Sequence, residues 1–176
     1  MTAAKPPTAP YPPDLEDDAE PATELADLVD AVAADADWSN RKARGVTLRR
    51  VVLRRCRLTG AELAEASLSD VTFEECRLDL AGLRMAKLER VVFRGCRMAE
   101  CDLLDAMLAD VLFDGCELTR AVFTGVRVTR VDLRGCELAG LEGVEALRGA
   151  RMPWNDMLEN APLFAAALGL QVLDED

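Results

Sequence analysis

Five cysteines, Cys56, Cys76, Cys96, Cys116 and Cys136, recur at intervals of twenty residues, and Cys101 stands outside the series. Thiolates bind zinc and exchange disulfides, so such a series first suggests a metal or redox ladder. Zinc, however, needs ligands that converge on one point, whereas side chains repeated at a fixed interval run parallel. The spacing therefore predicts a column of small core residues, with no metal and no cofactor. Carboxylates are the other abundant group, with 32 acids against 21 bases for a net charge of −11. The chain has no histidine, the usual general base, and its only serines are Ser39, Ser67 and Ser69. These residues suit recognition better than bond-making, and an enzyme is not expected.

The element that positions these groups is a five-residue word. From Val46 to Gly140 nineteen consecutive words follow without insertion, and the middle residue of each is large and apolar: thirteen Leu, four Phe, Met98 and Val128. Two places before each middle stands Val, Cys or Ala. Four words make a longer period, so that Val51, Val71, Val91, Val111 and Val131 recur every twenty residues, as do Leu53, Phe73, Phe93, Phe113 and Leu133. Residues one period apart stack at the roughly 4.8 Å spacing of hydrogen-bonded strands. The chain then winds as a four-sided coil with the middle and small residues inside. Gly60, Gly95, Gly115, Gly125, Gly135 and Gly140 end their words, where a corner with positive φ suits glycine.

Ala61-Glu-Leu-Ala-Glu, Ala66-Ser-Leu-Ser-Asp, Cys101-Asp-Leu-Leu-Asp and Val131-Asp-Leu-Arg-Gly resemble the A(D/N)LXX motif of the pentapeptide repeat family. The resemblance implies an all-β solenoid, a right-handed quadrilateral β-helix of about five coils. The second position departs from the motif, being Arg, Thr or Val more often than Asp or Asn.

Beyond the words the chain changes character. Residues 1–22, acidic and proline-rich, are expected to be a disordered tail whose loss, to residue 20, leaves the melting temperature nearly unchanged. Leu25, Leu28, Val29, Val32 and Ala33 have helical spacing, so residues 23–35 are predicted to form a short amphipathic helix on the open end of the coil. The repeat is assigned to residues 36–145, beginning with Ala36-Asp-Trp-Ser-Asn and a degenerate word, Arg41-Lys-Ala-Arg-Gly. Residues 146–170 are predicted to be a helical cap. Its Trp154, Met157, Leu158, Leu163, Phe164 and Leu168 are candidates for covering the last coil or for a homodimer contact. Residues 171–176 complete the chain as an acidic tail.

Function is sought on the outer sides. One side gathers Glu62, Glu65, Asp102, Asp105, Glu142 and Glu145, the candidate face for a basic protein partner. A line of outward apolar residues, Val52, Val92 and Leu112, interrupted by Thr72, is a second docking strip, for the N-terminal helix or a partner subunit. No window is long and apolar enough to span a membrane, and the start lacks a secretory signal, so a cytoplasmic location is expected. The leading expectation is a non-enzymatic scaffold for protein–protein interaction. The resemblance also implies an alternative, because some family members imitate duplex DNA and protect DNA gyrase or related topoisomerases from quinolones or toxins. Residues 46–145 carry seventeen acids against fifteen bases, far from the charge density of a duplex, and the rod is short. Direct nucleic-acid binding is disfavoured by the acidic total and because the basic side, with Arg49, Arg50, Lys87, Arg90, Arg127 and Arg130, has no aromatic interleaving.

Overall fold

The computed structural model describes residues 5–15 and 21–171. Six strands, β1 (Leu28–Ala34), β2 (Thr47–Arg54), β3 (Ser67–Glu74), β4 (Lys87–Arg94), β5 (Met107–Asp114) and β6 (Arg127–Arg134), form one parallel sheet in sequence order. Their register is the twenty-residue period itself: Leu48 faces Leu68, Val71 faces Val91, and Phe93 faces Phe113. Each strand covers two sides of the coil. The other two sides are held by isolated bridges such as Arg57 to Arg77 and Glu62 to Gly82.

Corners explain the five-residue word. The last residue of every word from Asp30 to Gly140 has positive φ, whether or not it is glycine. Four such residues per period bend the backbone four times per coil. At two of the corners the third residue of a hydrogen-bonded turn carries the positive φ, as in a type II turn: Ala61 N–H donates to Leu58 O around Gly60, and Ala66 N–H to Leu63 O around Glu65. Between corners only the small and middle positions point inward, and from Leu48 to Phe123 they are at most 1% exposed. Phe73, Phe93 and Phe113 stack with ring centroids 4.8 and 5.1 Å apart.

The cysteine column has its own local cause. Each thiol of the twenty-residue series donates to the backbone carbonyl 23 residues earlier, as Cys76 does to Leu53 O and Cys96 to Phe73 O, at 3.4 and 3.5 Å. All six cysteines are free and buried. The five sulfurs of the series point at carbonyls of the preceding coil, not at a shared centre, and no metal-holding cluster occurs among the described residues.

Three expectations are corrected at the N-terminal side. Residues 28–34 are a strand, not part of a helix, because the edge of β2 offers unpaired backbone groups that β1 satisfies in register, Leu28 to Leu48 and Ala33 to Leu53. The coil accordingly starts before residue 36, and Ala26-Asp27-Leu28-Val29-Asp30 is already an in-phase word. Residues 5–15 are not a loose tail: they lie along the outside of the coil, held by hydrogen bonds described below. The remaining disordered-tail positions, 1–4 and 16–20, and the acidic 172–176 lie outside the described residues.

Both ends of the sheet are covered. At the first coil Ala22 N–H donates to Val32 O, and the buried Trp38 donates from its indole Nε1 to Thr23 O at 2.9 Å. At the last, Arg151 extends the sheet by one residue, exchanging backbone hydrogen bonds with Val131 and Leu133. A 3-10 turn over Val144–Leu147 leads to two short helices, α1 (Trp154–Glu159) and α2 (Ala161–Ala167), the second with its proline in the first turn.

Candidate protein-docking faces

One corner runs the length of the sheet through the middles of the six strands, and its residues alternate in sign: Asp30, Arg50, Asp70, Arg90, Asp110, Arg130. Vertical neighbours pair as two-pronged ion pairs. Arg90 Nε and Nη2 reach the two carboxylate oxygens of Asp70 at 2.6 and 3.0 Å, and Arg50 with Asp30 and Arg130 with Asp110 repeat the arrangement. Asp70 and Asp110 are only 7% and 5% exposed, so burial alone would raise their pKa values. The guanidinium hydrogen bonds win. Those from Arg90 and Arg130 hold Asp70 and Asp110 below the ordinary carboxylate range, and that from Arg50 brings Asp30 to about 2.

Each of these acids accepts a third hydrogen bond from the N-terminal segment. Thr8 N–H donates to Asp110 at 2.8 Å, Tyr11 N–H to Asp70 at 3.1 Å, and Asp14 N–H to Asp30 at 2.9 Å. The segment therefore descends the corner as an axial strap, and the Tyr11 ring sits 5.7 Å from the Arg90 guanidinium carbon. Beneath the strap lies a cleft of about 340 Å³ whose floor includes Val52, Thr72, Val92 and Leu112, the apolar line read from the sequence. That line holds an extended strap rather than a helix. The signal for it was the placement of prolines at 7, 10 and 13, one before each donor, which a count of composition does not register.

The six predicted acids do share one side, stacked through bridges that run Lys42, Glu62, Gly82, Asp102, Val122, Glu142. The same ladder places the degenerate word Arg41–Gly45 on that side, so it begins with bases. Lys42 reaches Glu62 at 4.0 Å, Arg44 reaches Glu65, and Arg84 reaches Asp102 at 3.3 Å. Asp102 is half-buried and also accepts from Leu104 N–H, whereas Glu62, Glu65, Asp105, Glu142 and Glu145 are exposed. Three of the six acids are thus already partnered across coils, and the stripe is less anionic than its own words suggest.

The C-terminal candidates divide into two groups. Leu163 and Phe164 are half-buried against the end of the core, and Leu163 with Pro162 lies over the Cys136–Ala139 stretch of the last coil. Trp154, Met157, Leu158 and Leu168 face outward, with Trp154 72% and Leu168 78% exposed. Of the residues predicted for covering or contact, only Leu163 and Phe164 pack on the core.

Comparison with known proteins agrees with this geometry. No curated protein matches the chain. Among solved structures, a pentapeptide repeat protein from the Arabidopsis thaliana thylakoid lumen is similar, with a TM-score of 0.53 and 25% identity over 61% of this chain and 71% of its own. The plasmid-mediated fluoroquinolone resistance protein QnrB1 aligns with a TM-score of 0.38 and 18% identity over 81% of this chain and 88% of its own. A pentapeptide repeat protein from the cyanobacterium Cyanothece 51142 aligns with a TM-score of 0.28 and 25% identity over 57% of this chain and 65% of its own. The family model described as a pentapeptide repeat region matches residues 46–102 and 66–142, more than half of the chain, and the chain belongs to that family.

Proposed function

We propose that the protein is a non-enzymatic scaffold that binds other proteins on the outer sides of its coil. The observation that carries this reading is the strap: the outer surface already holds an extended polypeptide through backbone donors and side-chain carboxylates. The acidic side offers a second surface, suited to a basic partner, and the outward residues Trp154, Met157, Leu158 and Leu168 offer a third, to a second copy of the chain. Six free, buried thiols suit a reducing compartment such as the cytoplasm.

Triple charge reversal at Glu62, Asp102 and Glu142 to Lys tests the acidic side. Capture of partners from native cell extract with wild-type and reversed protein is expected to differ, with basic partners lost from the reversed form. Identical capture would reduce the stripe to solvated surface. A gyrase supercoiling assay, with and without a quinolone, separates scaffolding from DNA mimicry. No effect at micromolar protein is expected, because ion pairs between coils neutralise much of the rod.

A further inference from the structure

The strap and the corner beneath it have matching periods. A polyproline II ribbon has three residues per turn and a rise of about 3.1 Å per residue, hence about 9.3 Å per turn. Acids alternate with arginines along the corner, so equivalent carboxylates lie two coils apart, about 9.6 Å at the usual strand spacing. The donors Thr8, Tyr11 and Asp14 are three residues apart, and their acceptors Asp110, Asp70 and Asp30 are forty residues apart. Burial keeps the same beat. Pro7, Pro10 and Pro13 are half-buried, while the residues between them are exposed. The mismatch of roughly 0.3 Å per turn is small enough for all three hydrogen bonds to form near 3 Å.

We propose that this corner is a docking site for proline-rich extended segments of other proteins, kept closed in the isolated chain by its own strap. The proposal deepens the scaffold reading by naming the partner's chemistry. A ligand must repeat a triplet of proline, then a non-proline residue, then any residue. Proline in the first place fixes φ for the ribbon and rests its ring on the coil, whereas the second place must keep an N–H for a carboxylate to accept. The strap itself reads Pro7-Thr8-Ala9, Pro10-Tyr11-Pro12, Pro13-Asp14-Leu15. Each acceptor is already neutralised by its arginine, and the donor is an uncharged amide, so recognition depends on spacing rather than net charge. Binding should change little with salt, unlike binding to the acidic side.

The strap competes through tethering. A short linker gives a local concentration of about 1 mM. Against a free segment with a Kd of about 100 µM, the docked strap lowers the apparent affinity roughly tenfold. Replacing Thr8→Pro and Tyr11→Pro opens the site in the full chain. It deletes two donors and leaves the ribbon's preferred conformation intact.

The test is fluorescence polarisation with a labelled peptide of residues 5–15, against the wild-type chain and the Thr8→Pro/Tyr11→Pro variant. The opened variant is expected to bind about tenfold more tightly than wild type. The same peptide with proline at its Thr8 and Tyr11 positions should bind neither protein, and Asp70→Asn in the opened variant should weaken binding. Failure of the opened variant to bind the native peptide, or equal binding of both peptides, would overturn the proposal. So would a wild-type dimer that dissociates on opening, which would assign the corner to a second copy's strap. Charge reversal at Glu62, Asp102 and Glu142 should leave peptide binding unchanged, so loss of this site and loss of the acidic-side reading are separate results.

Discussion

At the scale of single residues the fold is an unusually long exercise in positive φ. Among the described residues sixteen non-glycine residues occupy that region, including Leu80 at 60° and Met85 at 57°, although each sacrifices roughly 1 kcal/mol or more to do so. They persist because the inter-coil hydrogen bonds on either side leave the corner no other course, as where Leu80 N–H donates to Ala99 O. Glycine therefore relieves strain at a word end without being required there. Gly115 and Gly143 separate the conformational cost from the steric one. Both have positive φ, 61° and 75°, but a Cβ on Gly115 would meet open space, while one on Gly143 would lie 2.3 Å from Thr124 N and 2.6 Å from Phe123 C. Gly115→Ala is expected to lower unfolding free energy by about 1 kcal/mol, and Gly143→Ala by about 3 kcal/mol or more, because rigid backbone must move. Urea denaturation of the two variants measures the difference; equal losses would show that the last coil yields where Gly143 packs.

Elements show where sequence was sufficient and where it misled. The coil from residue 46 onward was legible because each inward position accepts only a narrow size range of apolar side chain, and identical positions stack. β1 was not, because Leu25, Leu28, Val29, Val32 and Ala33 satisfy a helical spacing while Ala26-Asp27-Leu28-Val29-Asp30 satisfies the five-residue word. The deciding factor is non-local: β2 presents an open edge, and a strand satisfies it where a helix cannot. The strap was obscured differently, since its stability comes from backbone donors rather than from large apolar side chains. The acids proposed as a docking face share one side of the coil, yet the bases Lys42 and Arg44 stood in a word too degenerate to be counted with them. Two predictions follow from the strap's anchors. Asp30, Asp70 and Asp110 have pKa values depressed in the folded chain, so their contribution is fully present above the ordinary value of 3.8 and is lost as pH falls. Tyr11 is the sole tyrosine, so a fluorotyrosine label should give one fluorine resonance, unchanged from pH 7 to 5 and moving toward the free-peptide position as pH falls below the ordinary carboxylate value of 3.8. A transition centred near neutrality would exclude these carboxylates as the anchors. Deleting residues 1–20, expected from composition to be neutral, should instead lower the melting temperature by about 2–4 °C for each net kcal/mol the strap supplies.

For the whole molecule, a solenoid's coils touch only their neighbours, so events at one end need not disturb the other. The two ends are finished differently. At the first coil Trp38 is buried and tied to Thr23, whereas at the last the helices α1 and α2 turn only part of their apolar surface onto the core. Trp154, Leu158 and Leu168 are 72%, 55% and 78% exposed, adjacent in sequence to the residues that do cover the coil. Apolar surface gathered at one end of a rod suits an end-to-end pairing with a second copy, because a two-fold axis there brings the same patch of both chains together. Light scattering should give a mass near twice the 19.2 kDa of one chain. Trp154→Glu with Leu158→Glu should return it to 19.2 kDa while leaving the sheet's circular dichroism unchanged, since neither side chain enters the coil. A wild-type protein that stays monomeric at high micromolar concentration would assign the helices to capping alone. A double variant that loses its β signal would instead show that the helices hold the last coil closed, making the exposed residues part of the fold's own edge protection.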